Sequence, residues 1–478
     1  MAAGTDAARR SDGLLSVRAV LGLGWVTLTS VVFCNLVIKL FDRQLLDAQN
    51  VPIPRYWPIS KFALRVTRLP LPDAAVFAAL ALVVFAVAVV VLLRTDHRTL
   101  LPIVVAGGAL LVLTTLTHGV GPGILRPLSA PGNYERAAID ILDPGGYYLA
   151  AIDVADPVRF LETFEAQQLS LPLHAQTHPP GAVLTFYVLD TILPSALWVS
   201  LVVGLGSLAL TALLLSRLLR TYYPASVANY TTFLFVLLPA VQIYTLTSLD
   251  AMITVVMLAA VYCFTRDSPV VAALGTLVCV FVASTQTFTF VFILPVLGVL
   301  ALARREKWLP FAVVLVGLVA AYALLAVGFG FDYLHSFSLA SDQQNTEGFL
   351  LFVSPLRYLY SRIENVAEIA LFFTPFLCVL AIRGVRVLRR SARAGGRVDR
   401  EPLLLFGGAV LSLGGLFLGS VYHTGETARG ALFVYPFLLV PVAAAVRAAD
   451  PTTRRRAILA AAVFGQALFM QLIGDYWW

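Results

Sequence analysis

Apolar residues run along this chain in long unbroken stretches, not in alternation with polar ones. Windows of about 20 apolar residues recur from end to end, the length of helix that crosses a bilayer's hydrocarbon core. They predict about 13 spans, at 16–40, 73–94, 99–118, 195–219, 227–247, 251–265, 270–286, 288–303, 309–328, 365–384, 403–421, 431–447 and 457–474. Most of the stretches between them are short, the long ones being 41–72, 119–194 and 329–364. Strands of a membrane β-barrel would alternate over about 10 residues, so the pattern speaks for an all-α polytopic membrane protein. It divides into an N-terminal region 1–98, a central region 99–305 and a C-terminal region 306–478.

Composition agrees. Of 478 residues 59% are apolar and 13% charged, about half the charged share of a soluble protein, and the mean hydropathy is +0.85. A soluble multi-domain enzyme, a secreted disulfide scaffold and a coiled coil are excluded. Cys34, Cys263, Cys279 and Cys378 lie far apart in apolar runs and read as small core hydrophobes. The polar N-terminus precedes a long apolar run without an A-x-A site, which reads as a retained first span.

The net charge of +7 sits mostly in short loops, where it sets topology and does not call for a nucleic-acid partner. With the N-terminus cytoplasmic, 22 of the 34 Lys and Arg residues fall inside and 12 outside. The dense runs Arg383–Arg400 and Arg454–Arg456 decide the orientation against 39–72, which places six basic residues outside. Loops 119–194, 329–364 and 422–430 then share the exoplasmic face of a cell membrane.

The long loop is rich in acids and aromatics, so short juxtamembrane helices are expected rather than disorder. In DPVRFLETFEAQQL, Asp156 is placed as N-cap and Pro157 at the first helical position, with Val158, Phe160, Leu161, Phe164 and Leu169 along one side. Such a helix would lie flat at the interface. Two motifs flank it. DPGGYYLAA (143–151) sets Asp143 ahead of a Pro-Gly-Gly turn. THPPGAVLTFY (177–187) puts His178 at the N-terminus of an apolar helix that ends near Pro194. Taken alone, a turn aspartate and a structural histidine account for both as well as a site does.

At these residues the chain resembles the GT-C superfamily of integral-membrane glycosyltransferases, which includes protein O-mannosyltransferases and bacterial lipid A aminoarabinose transferases. DPGGYY and THPPG are similar to that family's loop acid and its His/Lys-Pro-Pro motif. LLLSRLLR (213–220) matches its span ending in basic residues, and LLPAVQIYTLTSLDAM (237–252) its surface aspartate, here Asp250. GETARG (425–430) is similar to Gly-Glu-x-x-Arg loops of some bacterial members. The order and spacing agree over about 119–305. In the family the loop acid follows its span closely, often as Asp-Glu. Here His118-Gly-Val-Gly-Pro-Gly intervenes, which leaves Asp143, Asp140 and Glu135 in contention, and two extra spans come first.

The resemblance implies a GT-C-like helical bundle and a polyprenyl-phosphate sugar donor, with a glycan, lipid or protein as acceptor. A chain embedded in the lipid bilayer suits such a donor: its tail needs an apolar groove and its phosphate a cation at the interface. The acceptor hydroxyl needs a base, and the departing phosphate needs positive charge, from arginine or a divalent cation. Asp143 is the first candidate for the base and Asp250 the second, or an orienting partner. Arg429 is the candidate phosphate ligand, oriented by Glu426, with His423 in the same loop. A local Glu426–Arg429 ion pair explains that spacing equally well. Tyr147, His178 and His335 join as substrate-binding candidates, and His178, His335 and Glu347 could complete a metal or phosphate site. The metal question stays open. The competing readings are a secondary transporter or lipid flippase, and a non-enzymatic assembly factor or polymer ligase. Transporters carry ionisable or broken-helix features at the bilayer midplane, whereas the acids here cluster in outer loops and at span ends.

Overall fold

The computed structural model describes residues 18–27, 29, 71–125, 128, 146–346, 348–394, 397–422 and 425–473. Glu135, Asp140, Asp143, Glu347 and His423 lie outside the described residues. Among the described residues every regular element is a helix. Five segments are long and apolar enough to cross a membrane: 73–94, 196–220, 305–329, 400–418 and 432–449. A bent pair, Pro355–Phe373 and Pro375–Arg393, makes a sixth if taken as one span. Shorter apolar helices fill the remainder, among them Leu101–Leu116, Ala225–Val236, Leu249–Phe264 and Gly181–Ile192.

Two of the expected spans are broken, and proline accounts for both. Residues 227–247 split into Ala225–Val236 and Pro239–Tyr244, with Pro239 in the first turn of the second helix. Residues 365–384 straddle a 97° bend at Thr374. Pro375 has no N–H for the preceding turn and disfavours helical backbone in the residue before it. Thr374 leaves the helical region, at ψ 138°, with a φ of +74° that the proline alone does not require and that is strained for a β-branched residue, and its hydroxyl caps the next helix by accepting from the Leu377 N–H.

The segment 432–449 forms the centre of the bundle, buried along nearly its whole length. Pro375–Arg393 crosses it so closely that a Cβ on Gly384 would lie 1.7 Å from the Pro441 carbonyl oxygen. Only glycine permits that approach, the usual device where helices pack without a hydrophobic drive between them. The ring of Phe292 packs at a tilt against those of Phe433 and Phe437.

Charged loops gather at one end of the bundle. Arg304 pairs with Glu401, which also accepts from the Tyr222 hydroxyl. Lys307 donates to the Arg266 carbonyl, and Arg456 reaches Asp96 at 3.2 Å. The opposite end carries the short helices of the long loop. Asp156 caps Pro157–Glu162 as expected, accepting from the N–H groups of Val158 at 2.8 Å and Arg159 at 3.2 Å. The helix stops at Thr163, however, and a new turn, Phe164–Gln167, begins there. Of the expected apolar side, Phe160 and Phe164 are buried, the latter against Phe331, while Val158 and Leu169 are exposed.

Candidate functional site

Four stretches far apart in sequence converge at this loop-bearing end. They are the start of Tyr147–Ile152, the turn 174–178, the start of Leu249–Phe264 and the four-residue helix Thr427–Gly430. The centre is a pair: Arg429 Nε lies 3.6 Å from Asp250 Oδ2, with 23% and 17% of the two side chains exposed. Glu426, Tyr147 and Tyr244 also lie within electrostatic reach of the Arg429 guanidinium.

Asp250 precedes the apolar run of its helix and is aimed by a strained turn. Thr247, a β-branched residue, sits at φ +72°, a conformation that costs about 1–3 kcal/mol and is held only where surroundings impose it. Its hydroxyl is fixed between the Ile124 carbonyl at 3.1 Å and Ser200. The chain then turns into Ser248, the N-cap, whose Oγ accepts from the Asp250 N–H and donates to Asp250 Oδ2, both at 3.1 Å. Burial raises the Asp250 carboxyl above the ordinary carboxylate range, against the opposing pull of Arg429 and the Ser248 hydroxyl. Burial works against the Arg429 cation too, but the Asp250 carboxylate and then Glu426 outweigh it and hold its pKa above the ordinary value.

His178 flanks the pair. Pro180 opens the helix Gly181–Ile192 right behind it, and a Cβ on Gly181 would strike the Thr285 carbonyl at 2.4 Å, so glycine seats this helix start against the bundle. His178 Nδ1 lies 3.0 Å from the His174 carbonyl, which can only accept, so Nδ1 carries the proton. Nε2 then accepts from the Tyr147 hydroxyl at 3.0 Å. Burial first, then the nearby His174 and Arg429, push the His178 pKa down to about 3, so the ring is neutral at ordinary pH. It serves as a fixed dipole beside the pair rather than as a cation.

The loop bearing Arg429 is gripped from below by the helix Pro355–Phe373. Glu368 accepts from the N–H groups of Thr427 at 3.2 Å and Ala428 at 3.1 Å, and Glu364 from Gly425 at 3.2 Å. Asn365 Nδ2 donates to the Thr427 hydroxyl at 2.5 Å. All three side chains are buried. Tyr422 closes the other side by donating to the Gly430 carbonyl at 3.1 Å. A carboxylate at the first amides of a short helix satisfies donors that have no partner within it.

Of the sequence candidates, Asp250, His178, Tyr147, Glu426 and Arg429 are brought together. His335 stands apart, exposed in the first turn of Tyr333–Gln344, with its backbone N–H donating to the cap Asp332. Sequence reasoning did not single out His174 and Tyr422, which carry no motif, or Tyr244, which lies within the stretch 237–252 but has no role assigned there. It also missed Glu364 and Glu368, although Glu368 falls inside the expected span 365–384. An ionisable side chain in an apolar run is itself a signal. Among the described residues no group of three or more His, Cys, Asp and Glu side chains is placed to hold a metal ion. No family model matches the chain, and a search of curated proteins returns no match.

Proposed function

We propose that the chain is a membrane glycosyltransferase of the GT-C type, moving a sugar from a polyprenyl-phosphate donor to an acceptor hydroxyl, with inversion at C1. One observation carries the reading. Residues in the motifs that carry the resemblance, His178 in THPPG, Asp250 in the first turn of Leu249–Phe264 and Arg429 in GETARG, lie together in one partly exposed site. The pair there suits the chemistry. The acceptor oxygen attacks C1 and the C1–O bond to phosphate breaks, its electron pair going to the phosphate oxygen. The hydroxyl proton passes to a carboxylate, and an arginine meets the charge growing on the leaving phosphate. Asp250 is the carboxylate beside Arg429, and its raised pKa strengthens it as a base. Asp143, four positions before Tyr147 in sequence, is the rival for that role. About 13 spans and an exoplasmic site belong to the same proposal.

A transporter reading draws on the break at Thr374. The carboxylates next to that break, Glu364 and Glu368, are occupied by backbone N–H groups of the 425–428 loop, which leaves them bound into structure instead of along a path.

The test is release of polyprenyl phosphate from a polyprenyl-phosphate sugar by the purified chain in vesicles. Asp250→Asn keeps size and removes the proton acceptor, and turnover is expected to fall by roughly 10²–10⁴, the range of a general base. Near-normal turnover in Asp250→Asn together with collapse in Asp143→Asn would move the base to Asp143. Absence of release by the wild-type chain from any such donor would end the proposal.

A further inference from the structure

The helix Pro355–Phe373 has its polarity reversed relative to a helix on a water-soluble surface. Along 358–368 its buried side carries Ser361, Glu364, Asn365 and Glu368 beside Tyr358, and it turns apolar beyond them at Ile369, Phe372 and Phe373. Leu356, Leu359, Tyr360, Ile363 and Val366 form its outward stripe, each 46–58% exposed, with no charge among them. Both stripes follow helical spacing on opposite sides of the helix. Facing water, this arrangement would expose apolar surface and bury carboxylates. Facing hydrocarbon, it is the favourable one, because the carboxylates are satisfied by protein N–H groups within.

Two observations give its tilt and depth. The 97° bend at Thr374 sets it nearly perpendicular to Pro375–Arg393, so it runs along the membrane plane if that helix crosses. The Tyr358 hydroxyl donates to the Leu418 carbonyl at 2.8 Å, and Arg362 donates to the carbonyls of Phe417 and Tyr422. Leu418 ends the candidate span 400–418 and is itself exposed. The helix therefore lies across the level at which a span leaves the hydrocarbon.

We infer that Pro355–Phe373 is an interfacial helix whose outward stripe rests on phospholipid acyl chains, and that this contact sets the depth of the 425–430 loop it carries through Glu364 and Glu368. The inference needs membrane embedding alone, so it survives or fails independently of sugar transfer.

The test places photoreactive benzoylphenylalanine at Leu359, Ile363 or Val366, one at a time, in the full chain in phosphatidylethanolamine–phosphatidylglycerol vesicles. After irradiation each is expected to gain the mass of one phospholipid, and a control at exposed Glu162 to gain none. Adducts no more frequent than at Glu162 would mean the stripe faces water. Cross-links between two copies would mean that protein covers it. Should a labelled variant fail to fold, the native chain in vesicles carrying a diazirine within the acyl chain gives the same answer. Label is then expected on peptides covering 355–367, and its absence there would overturn the inference.

Discussion

At the scale of single residues, the site joins an ion pair to a neutral histidine, and the two respond to pH differently. His178 is a partly buried, neutral ring, with its pKa depressed to about 3 from an unfolded value near 6.5. Between those values the unfolded chain binds a proton that the folded chain refuses. This contribution to stability is therefore complete above about pH 6.5 and is lost as pH falls toward about 3. His178→Gln removes the proton site, so its thermal midpoint in detergent should fall less over that window than the wild-type midpoint does. Parallel curves would mean that His178 titrates normally. The residue types at the site were readable because each carried a local cue: His178 before two prolines, Asp250 at the head of an apolar run, and Glu426 and Arg429 in a polar gap. Their partners were not. The Arg429–Asp250 contact joins positions 179 residues apart, and no periodicity records such a meeting.

At the scale of elements, the decisive feature is the bend at Thr374. A hydropathy window of about 19 residues averages across it and returns one smooth span, yet Pro375 stood in plain view inside that span. The break swings Pro355–Phe373 sideways, and Glu368 on that helix then reaches the amides of Thr427 and Ala428. Glu368 is thus a positioning residue that acts through the loop. Glu368→Gln replaces one acceptor oxygen by an NH₂ that faces an N–H, leaving a buried donor unmet at about 1–3 kcal/mol. The expected outcome is a lower unfolding midpoint together with a raised donor KM, and Glu364→Gln should act in the same direction through the Gly425 N–H it accepts from. A stability loss with donor KM unchanged would make Glu368 purely structural. The strained Thr247 is likewise beyond any reading of propensity, because the surroundings impose its positive φ against local preference.

At the scale of the whole molecule, charged loops and the candidate site occupy opposite ends of the bundle. Arg266, Arg304, Lys307, Glu401 and Arg456 interact at one end, and Tyr147, His178, Asp250 and Arg429 at the other. The division of loops between two faces, and the orientation that the positive-inside rule assigns to it, stay part of the proposal. Single cysteines at positions 150 and 390 are expected to react with membrane-impermeant reagent from opposite sides, and labelling from the same side would remove both the orientation and the exoplasmic site. The apolar character of the molecule was the most readable property, since 59% apolar residues leave no other solvent for it. The number of full crossings was less so, because short and broken helices share the composition of long ones. The central claim is that Arg429 meets the donor's phosphate as it leaves. It is tested most directly by release of polyprenyl phosphate at saturating donor, compared among wild type, Arg429→Lys, Arg429→Ala and the double variant Glu426→Gln with Arg429→Ala. Turnover should fall in Arg429→Lys and further in Arg429→Ala, with no recovery in the double variant. A double variant as active as wild type would show that Arg429 and Glu426 serve only each other, and would contradict the account.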